Sequence, residues 1–335
     1  MADRAHIDTD EAIAQMQRRI NKIYRDAQRT VSAELEKYAA KIRDKSTRLY
    51  DAIQNAETDK ERKKAENAYR RFYAVEVKRD KAFKAAVTSA AETLYTANNL
   101  AAAYINTKTP AIYAENYNYI GQGLERDLDG YELKSVSEDM ADKYGNVERQ
   151  TVNKARDERW NRKNIVRGVV TGAIVGYGIN RIFNSTARVV TERNRDGADR
   201  QASDMATSAE NKGRLDSMYR AYDEGFDVKK VWLATLDNRT RETHRVYDGL
   251  GAHELDFEYA PGLKVPRDPD CTDMAEVCNC RCRITYNIGR ERSRTRAARD
   301  LDVMGSYKDQ RSFAGTHTVS VRNMSYREWM QWRQR

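Results

Sequence analysis

All four cysteines of the 335-residue chain lie between Cys271 and Cys282. This clustering argues for one local site and against a disulfide framework spread over a secreted fold. Cys280 and Cys282 flank Arg281, so an extended strand or a tight knuckle aims both sulfurs the same way. Upstream, Asp237, Arg239, Thr240, Arg241 and His244 fall close together; a helix capped by Asp237 would put Thr240 and His244 on one face. Thiolate and imidazole donors in this number suit tetrahedral zinc, with His244, Cys280 and Cys282 as three ligands and Cys271 or Cys278 as the fourth. A filled shell of this kind is structural, tying a helix to a strand across a long loop. Two other readings of the same residues are four reduced thiols beside an incidental histidine, and a Cys271–Cys278 disulfide.

A catalytic metal would need an open coordination position and a general base, for which Asp237 or Glu242 are the nominees. The supply of thiolates argues for a closed shell instead. Neither a glycine-rich phosphate loop nor a Ser/His/Asp order stands out. The expectation is a protein that is not an enzyme.

The elements that must hold this site are mostly helical. With 33 % charged residues, only 4 prolines and a mean hydropathy of −0.89, the chain has little apolar material and few helix breakers. Ile13, Met16, Ile20, Ile23, Ala27, Val31, Leu35, Tyr38, Ile42, Leu49 and Ile53 recur in steps of mostly three and four, one stripe on a long helix. Thr58 and Glu61 form a capping-box pattern that opens a second helix, striped by Tyr69, Phe72, Phe83, Val87, Leu94, Ala101 and Tyr104. These predict a helical hairpin arm over 1–107, turning near Asn55 to Asp59, marginally stable alone and suited to pack on a second copy or another protein. Pro110, Gly121, Gly123, Gly130 and Gly145 predict an irregular connection over 108–160. A helical region over 161–225 follows, in which Gly168, Gly172 and Gly176 bare a strip of backbone for close packing and Gly225 ends the helices.

The texture then changes to strand-like pieces, Val231 to Leu236 and Arg283 to Ile288, around a turn-rich loop: a small α+β module over 226–289. The fold class read from the sequence is therefore mainly α with a small α+β C-terminal module. Residues 290–335 read as a basic linker and aromatic tail. Arg290, Arg292, Arg294, Arg296 and Arg299 are candidates for non-specific phosphate contact, having no interleaved aromatics to read bases. Tyr326, Trp329, Met330 and Trp332 form an apolar face at helical spacing, read as a partner anchor that adds little to the fold. The net charge of +9 suits an acidic partner. No signal peptide is visible, and Gly168 to Ile179 is too short to span a bilayer, so a soluble product without membrane association is expected.

The order D-x-R-T-R-x-x-H, then D-G, a proline-containing loop and N-C-R-C resembles the C-terminal domain of the Mu F-like, head-morphogenesis family of tailed-phage minor head proteins. The matching positions are Asp237, Arg239, Thr240, Arg241, His244, Asp248, Gly249, Asn279, Cys280, Arg281 and Cys282, and the Thr191–Glu192 pair resembles the end of the family's helical segment. The resemblance covers roughly residues 160 to 289. It implies a structural protein of the virion, made in the host cytoplasm and placed near the portal. Its partners would be the portal protein and other head proteins, and its role head assembly, DNA packaging or genome delivery. Some relatives are similar to DNA-binding proteins, and some are fused to ADP-ribosyltransferases. One departure stands out: members commonly carry no extra cysteine, or a histidine shortly before N-C-R-C, where this chain has Cys271 and Cys278.

Overall fold

The computed structural model describes residues 3–145, 147–289, 295–300, 317–322 and 324–333. In chain order its elements are α1 (Arg4–Gln54), α2 (Asp59–Arg71), a π-helical turn (Phe72–Val77), α3 (Lys81–Asp127), α4 (Glu138–Tyr144), α5 (Lys154–Ile174), α6 (Ile179–Asp223), β1 (Lys229–Leu233), α7 (Glu242–Tyr247), β2 (Ala252–His253), α8 (Met274–Val277), β3 (Arg283–Asn287), β4 (Thr295–Asp300), β5 (His317–Arg322) and α9 (Tyr326–Arg333). The protein is thus mainly α with a small antiparallel sheet near its C-terminus, as the composition and periodicity predict. Among the described residues no helix is long and apolar enough to cross a membrane.

The stripe of α1 buries Ile13, Met16, Ile20, Ala27, Val31, Leu35 and Tyr38, with Tyr24 taking the inward place expected of Ile23. The capping box opens α2: Thr58 Oγ1 accepts from Glu61 N at 3.2 Å, and Glu61 Oε2 accepts from Thr58 N at 3.1 Å. The predicted second helix is not continuous, because the π turn interrupts it and Asp80 restarts it by accepting from Ala82 N at 2.8 Å. Nor is 108–160 irregular throughout. Pro110 lies inside α3, which continues to Asp127. Gly121 and Gly123, read as breakers, are sites of close approach: a Cβ would stand 2.2 Å from Leu133 Cδ1 at the first and 2.6 Å from the Tyr286 hydroxyl at the second.

The chain divides into two compact units: Met1–Arg18, Tyr104–Gln150 and Arg200–Arg335 form one, and Arg19–Ala103 with Thr151–Asp199 the other. The second unit is all helical, with Leu35, Tyr69, Phe83, Leu94, Ile165 and Phe183 in its core. Gly168 and Gly172 of α5 face Thr186 and Ile182 of α6, where a Cβ would come within 2.8 and 3.1 Å. Gly176 plays a different part. Its φ of +82° terminates α5, with Gly176 N donating to Ala173 O and Tyr177 N to Gly172 O, the paired bonds of a Schellman end.

In the first unit β1 is the central strand of the order β2-β1-β3, antiparallel on both sides, with Trp232 opposite Ile284. The outer edge of β3 is satisfied by side chains of α6. Asn211 accepts from Ile284 N at 2.8 Å and donates to Cys282 O at 3.1 Å, and Arg214 donates to Ile284 O at 3.2 Å. Those two residues take the place of a neighbouring strand at the start of β3. Arg214 is fully buried and held bidentately by Asp3, at 2.8 and 2.9 Å, with Asn116 and Glu210 completing its shell. Arg283 also donates to Asp3, at 2.8 Å. Burial works against the Asp3 charge, but the two guanidinium groups hold its carboxyl well below the usual range.

Candidate metal centre

Trp232 and Ala234, at the end of β1, begin the floor of the site, with Tyr259, Leu263 and Val277 packed beside them. The chain then turns at Asp237. This residue is not the N-cap of α7, which begins only at Glu242 with Arg241 as its cap. Asp237 Oδ1 instead accepts from Arg239 N at 2.9 Å and from Thr240 Oγ1 at 3.2 Å, closing a turn that Thr240 also ties to Thr235 O. The helix is delayed by one turn, and His244 reaches the interior from its first half.

Opposite, Asn279 adopts the left-handed conformation with φ of +54°, which a short amide side chain tolerates better than most. Its N–H donates to Asp204 of α6 at 2.8 Å. That reversal is the knuckle that swings Cys280 and Cys282 inward before β3 starts at Arg283. Arg281 between them forms a two-pronged ion pair with Asp237, one limb at 2.9 Å, while its carbonyl accepts from Thr235 Oγ1 at 2.6 Å. Burial disfavours the Arg281 charge, but the facing Asp237 carboxylate more than offsets this and strengthens it. Arg241 donates to Cys278 O, locking the other side of the knuckle.

His244, Cys280 and Cys282 are all buried, and their donor atoms lie within 4.8 Å of one another, a group able to hold a metal ion. His244 Nδ1 stands 3.6 Å from Cys280 Sγ and 3.4 Å from Cys282 Sγ. Its Nε2 is 3.1 Å from Glu276 Oε2, the same oxygen that accepts from Thr243 Oγ1 at 3.1 Å. A carboxylate on Nε2 holds a proton on that nitrogen, so a metal taken up among the thiols would displace any proton from Nδ1 and bind its lone pair. Trp232 meets the imidazole edge-on at 5.1 Å. Burial pushes the Cys280 thiol well above its ordinary range. Cys282 is as buried, yet bonds with Cys280 and His244 hold it well below.

The two cysteines proposed as alternative fourth ligands are not in this group. Cys271 is buried beside the floor residues with its Sγ 3.9 Å from Asp273 O, and Cys278 is half-buried at the end of α8. All four thiols are free, so the Cys271–Cys278 disulfide is absent. The remaining motif residues are structural ties. Asp248 accepts from Ala234 N at 2.7 Å and from Tyr326 N at 2.6 Å, whereas Arg239 and Gly249 are exposed.

Tyr326 and Trp329 do not form an outward anchor. Both are buried with Leu236, Tyr326 donates to Asp237 O at 2.9 Å, and Met330 packs beside them. Of the expected partner face only Trp332 is well exposed. Arg290, Arg292 and Arg294 lie outside the described residues. Arg296 and Arg299 stand on β4, opposite Val321 and Thr318 of β5. Sequence reasoning missed Glu276, Trp232, Asp204 and Asn211. Only Glu276, four residues before Cys280 in a polar stretch, carried even a weak signal.

No family model and no solved structure matches the chain. It is similar to an Enterococcus faecalis protein named NAD(+)--arginine ADP-ribosyltransferase EFV, 26 % identical over 164 residues, or 47 % of this chain and 32 % of that protein. The chain thus spans about a third of the length of the relative it matches. This likeness overturns the expectation that the protein is not an enzyme, since the relative carries an enzyme's name.

Proposed function

We propose that this chain is a minor head component of a tailed bacteriophage, acting near the portal, whose C-terminal module is ordered by zinc. The observation that carries the reading is the convergence of the motif. Asp237, Thr240, Arg241, Asp248, Asn279 and Arg281 each make a bond that shapes the turn or the knuckle around His244, Cys280 and Cys282. Two thiolates and an imidazole match zinc in hardness, and the carboxylate behind the imidazole is the usual outer partner of such a ligand. Bound there, zinc would crosslink α7 to the start of β3 and hold the intervening loop. Native mass spectrometry of the full chain tests the metal, with one zinc per chain expected and none in His244→Ala. Antibody labelling of purified particles tests the head role: a signal confined to one vertex is expected, and its absence from particles removes the reading.

A second reading is favoured by the E. faecalis relative: transfer of ADP-ribose from NAD(+) to arginine. Incubating the full chain with labelled NAD(+) and an arginine acceptor tests it. Release of nicotinamide with labelled acceptor supports the reading, and unchanged NAD(+) at high protein concentration rejects it.

A further inference from the structure

In the all-helical unit, two grooves along the seam of α1 and α6 meet end to end at Gln28. Arg181, Arg188 and Arg195 line them from α6 at seven-residue intervals, which puts successive guanidinium groups on one face about 10 Å apart. Arg25 adds a fourth from α1, and Glu192 is the single carboxylate in the lining. Asp196, at 3.0 Å, and Asp199 offset Arg195, and Glu192 stands 3.9 Å from Arg188. Arg25 and Arg181 have no carboxylate partner among the described residues, and Arg181 is braced over the Tyr177 ring at 3.9 Å.

The rest of the lining is Asn21, Tyr24, Gln28, Ser32, Asn184, Ser185 and Thr191, with no aliphatic side chain among them. Thr191 is 2 % exposed, and its hydroxyl has no hydrogen-bond partner among the described residues. Val31 and Leu35 of α1 share one apolar core with Phe183, Ala187 and Val190 of α6, and the arginines, amides and hydroxyls form the polar groove surface above it. These are the side chains that contact phosphate and sugar oxygens. Aromatic surface for stacking bases is absent, because Tyr24 is buried with its hydroxyl bonded to Asn98.

We propose that the α1–α6 seam binds the phosphate backbone of a nucleic acid without reading its sequence. The site draws on none of the arginines in the basic run of sequence after Gly289 and does not depend on the metal centre or on either reading above. An acidic protein surface would meet the arginines but would leave the hydroxyl and amide wall without a periodic partner.

The test uses the full chain and fluorescent single- and double-stranded oligonucleotides of random sequence, titrated at salt from about 50 to about 200 mM. The variant Arg25→Gln, Arg181→Gln, Arg188→Gln alters only exposed side chains. It should bind at least about tenfold more weakly, with a salt slope lower by about 2 to 3, while keeping its helical circular dichroism. Replacing Arg290, Arg292 and Arg294 by Gln should leave the bulk of the affinity. Whichever strand form binds more tightly identifies the ligand. The proposal is overturned if the wild type fails to bind at low salt or if the groove variant binds within twofold of it. It is equally overturned if polyglutamate, and not the oligonucleotides, is the ligand lost on substitution.

Discussion

Glu276 shows how one side chain can set the chemistry of another. By accepting from His244 Nε2 it leaves Nδ1 to face the thiols, so Glu276→Gln should preserve the fold but weaken metal binding about 10- to 100-fold, read by competition with a chromophoric chelator. Cys280→Ser and Cys282→Ser should each release the metal, whereas Cys271→Ser and Cys278→Ser should retain it, since neither sulfur belongs to the ligand group. Retention of metal in Cys280→Ser would remove the site. The Asp237–Arg281 pair predicts a different signature. Asp237 is wholly buried, so Asp237→Asn strands a guanidinium and should cost about 3–5 kcal/mol in chemical denaturation.

At the scale of elements, α9 is the sharpest case. Spacing placed Tyr326, Trp329 and Met330 on one helical face, and that face exists, but its partner is the module itself. Truncation before Ser325 should therefore lower the melting temperature, and Trp329→Ala alone should destabilise by about 3–5 kcal/mol. An unchanged denaturation midpoint would return the helix to the role of a free anchor. The same lesson applies to α3, where local rules assign Pro110 and two glycines to a break. The helix continues because its flanks, Thr109, Ile112 and Tyr113, are buried, and packing outweighs about 3 kcal/mol of proline penalty.

At the scale of the molecule, the first unit gathers ionisable groups from distant parts of the chain. Glu115 has an exposed side chain that is only partly desolvated, and it is pushed up to about 7 first by that desolvation and then by the hydrogen bond and charge of Asp8, with Arg4 opposing and Glu210 adding to the rise; solvent screening keeps the stability effect modest. A carboxyl raised in the folded state stays protonated while the unfolded chain ionises above its ordinary value of 4.5. The folded state then holds more protons, so stability falls as pH rises from about 4.5 to about 7. Glu115→Gln, which mimics the protonated form, should flatten that fall and gain relative to wild type at pH 8 more than at pH 5. Parallel curves for the two proteins in thermal melts across pH would exclude the coupling.

Features that rest on local rules are legible in the chain of residues alone. The α1 stripe, the Thr58–Glu61 cap, the end of α6 at Gly225 and the grouping of His244 with Cys280 and Cys282 follow from periodicity, from capping chemistry and from the scarcity of soft ligands. The mainly helical class with a late α+β module follows in the same way. Tertiary structure decided the matters that depend on which surfaces meet. Whether Gly121 breaks a helix or admits Leu133 is invisible in a list of residues, as is whether Asp237 caps a helix or neutralises Arg281. The start of β3 is bonded at its outer edge by Asn211 and Arg214, some seventy residues upstream, and no local signal links them. Cys271 and Cys278 look equally available as a fourth ligand along the chain. Only the fold leaves both sulfurs outside the group of His244, Cys280 and Cys282, because ligand geometry is a property of three-dimensional distance and not of sequence separation.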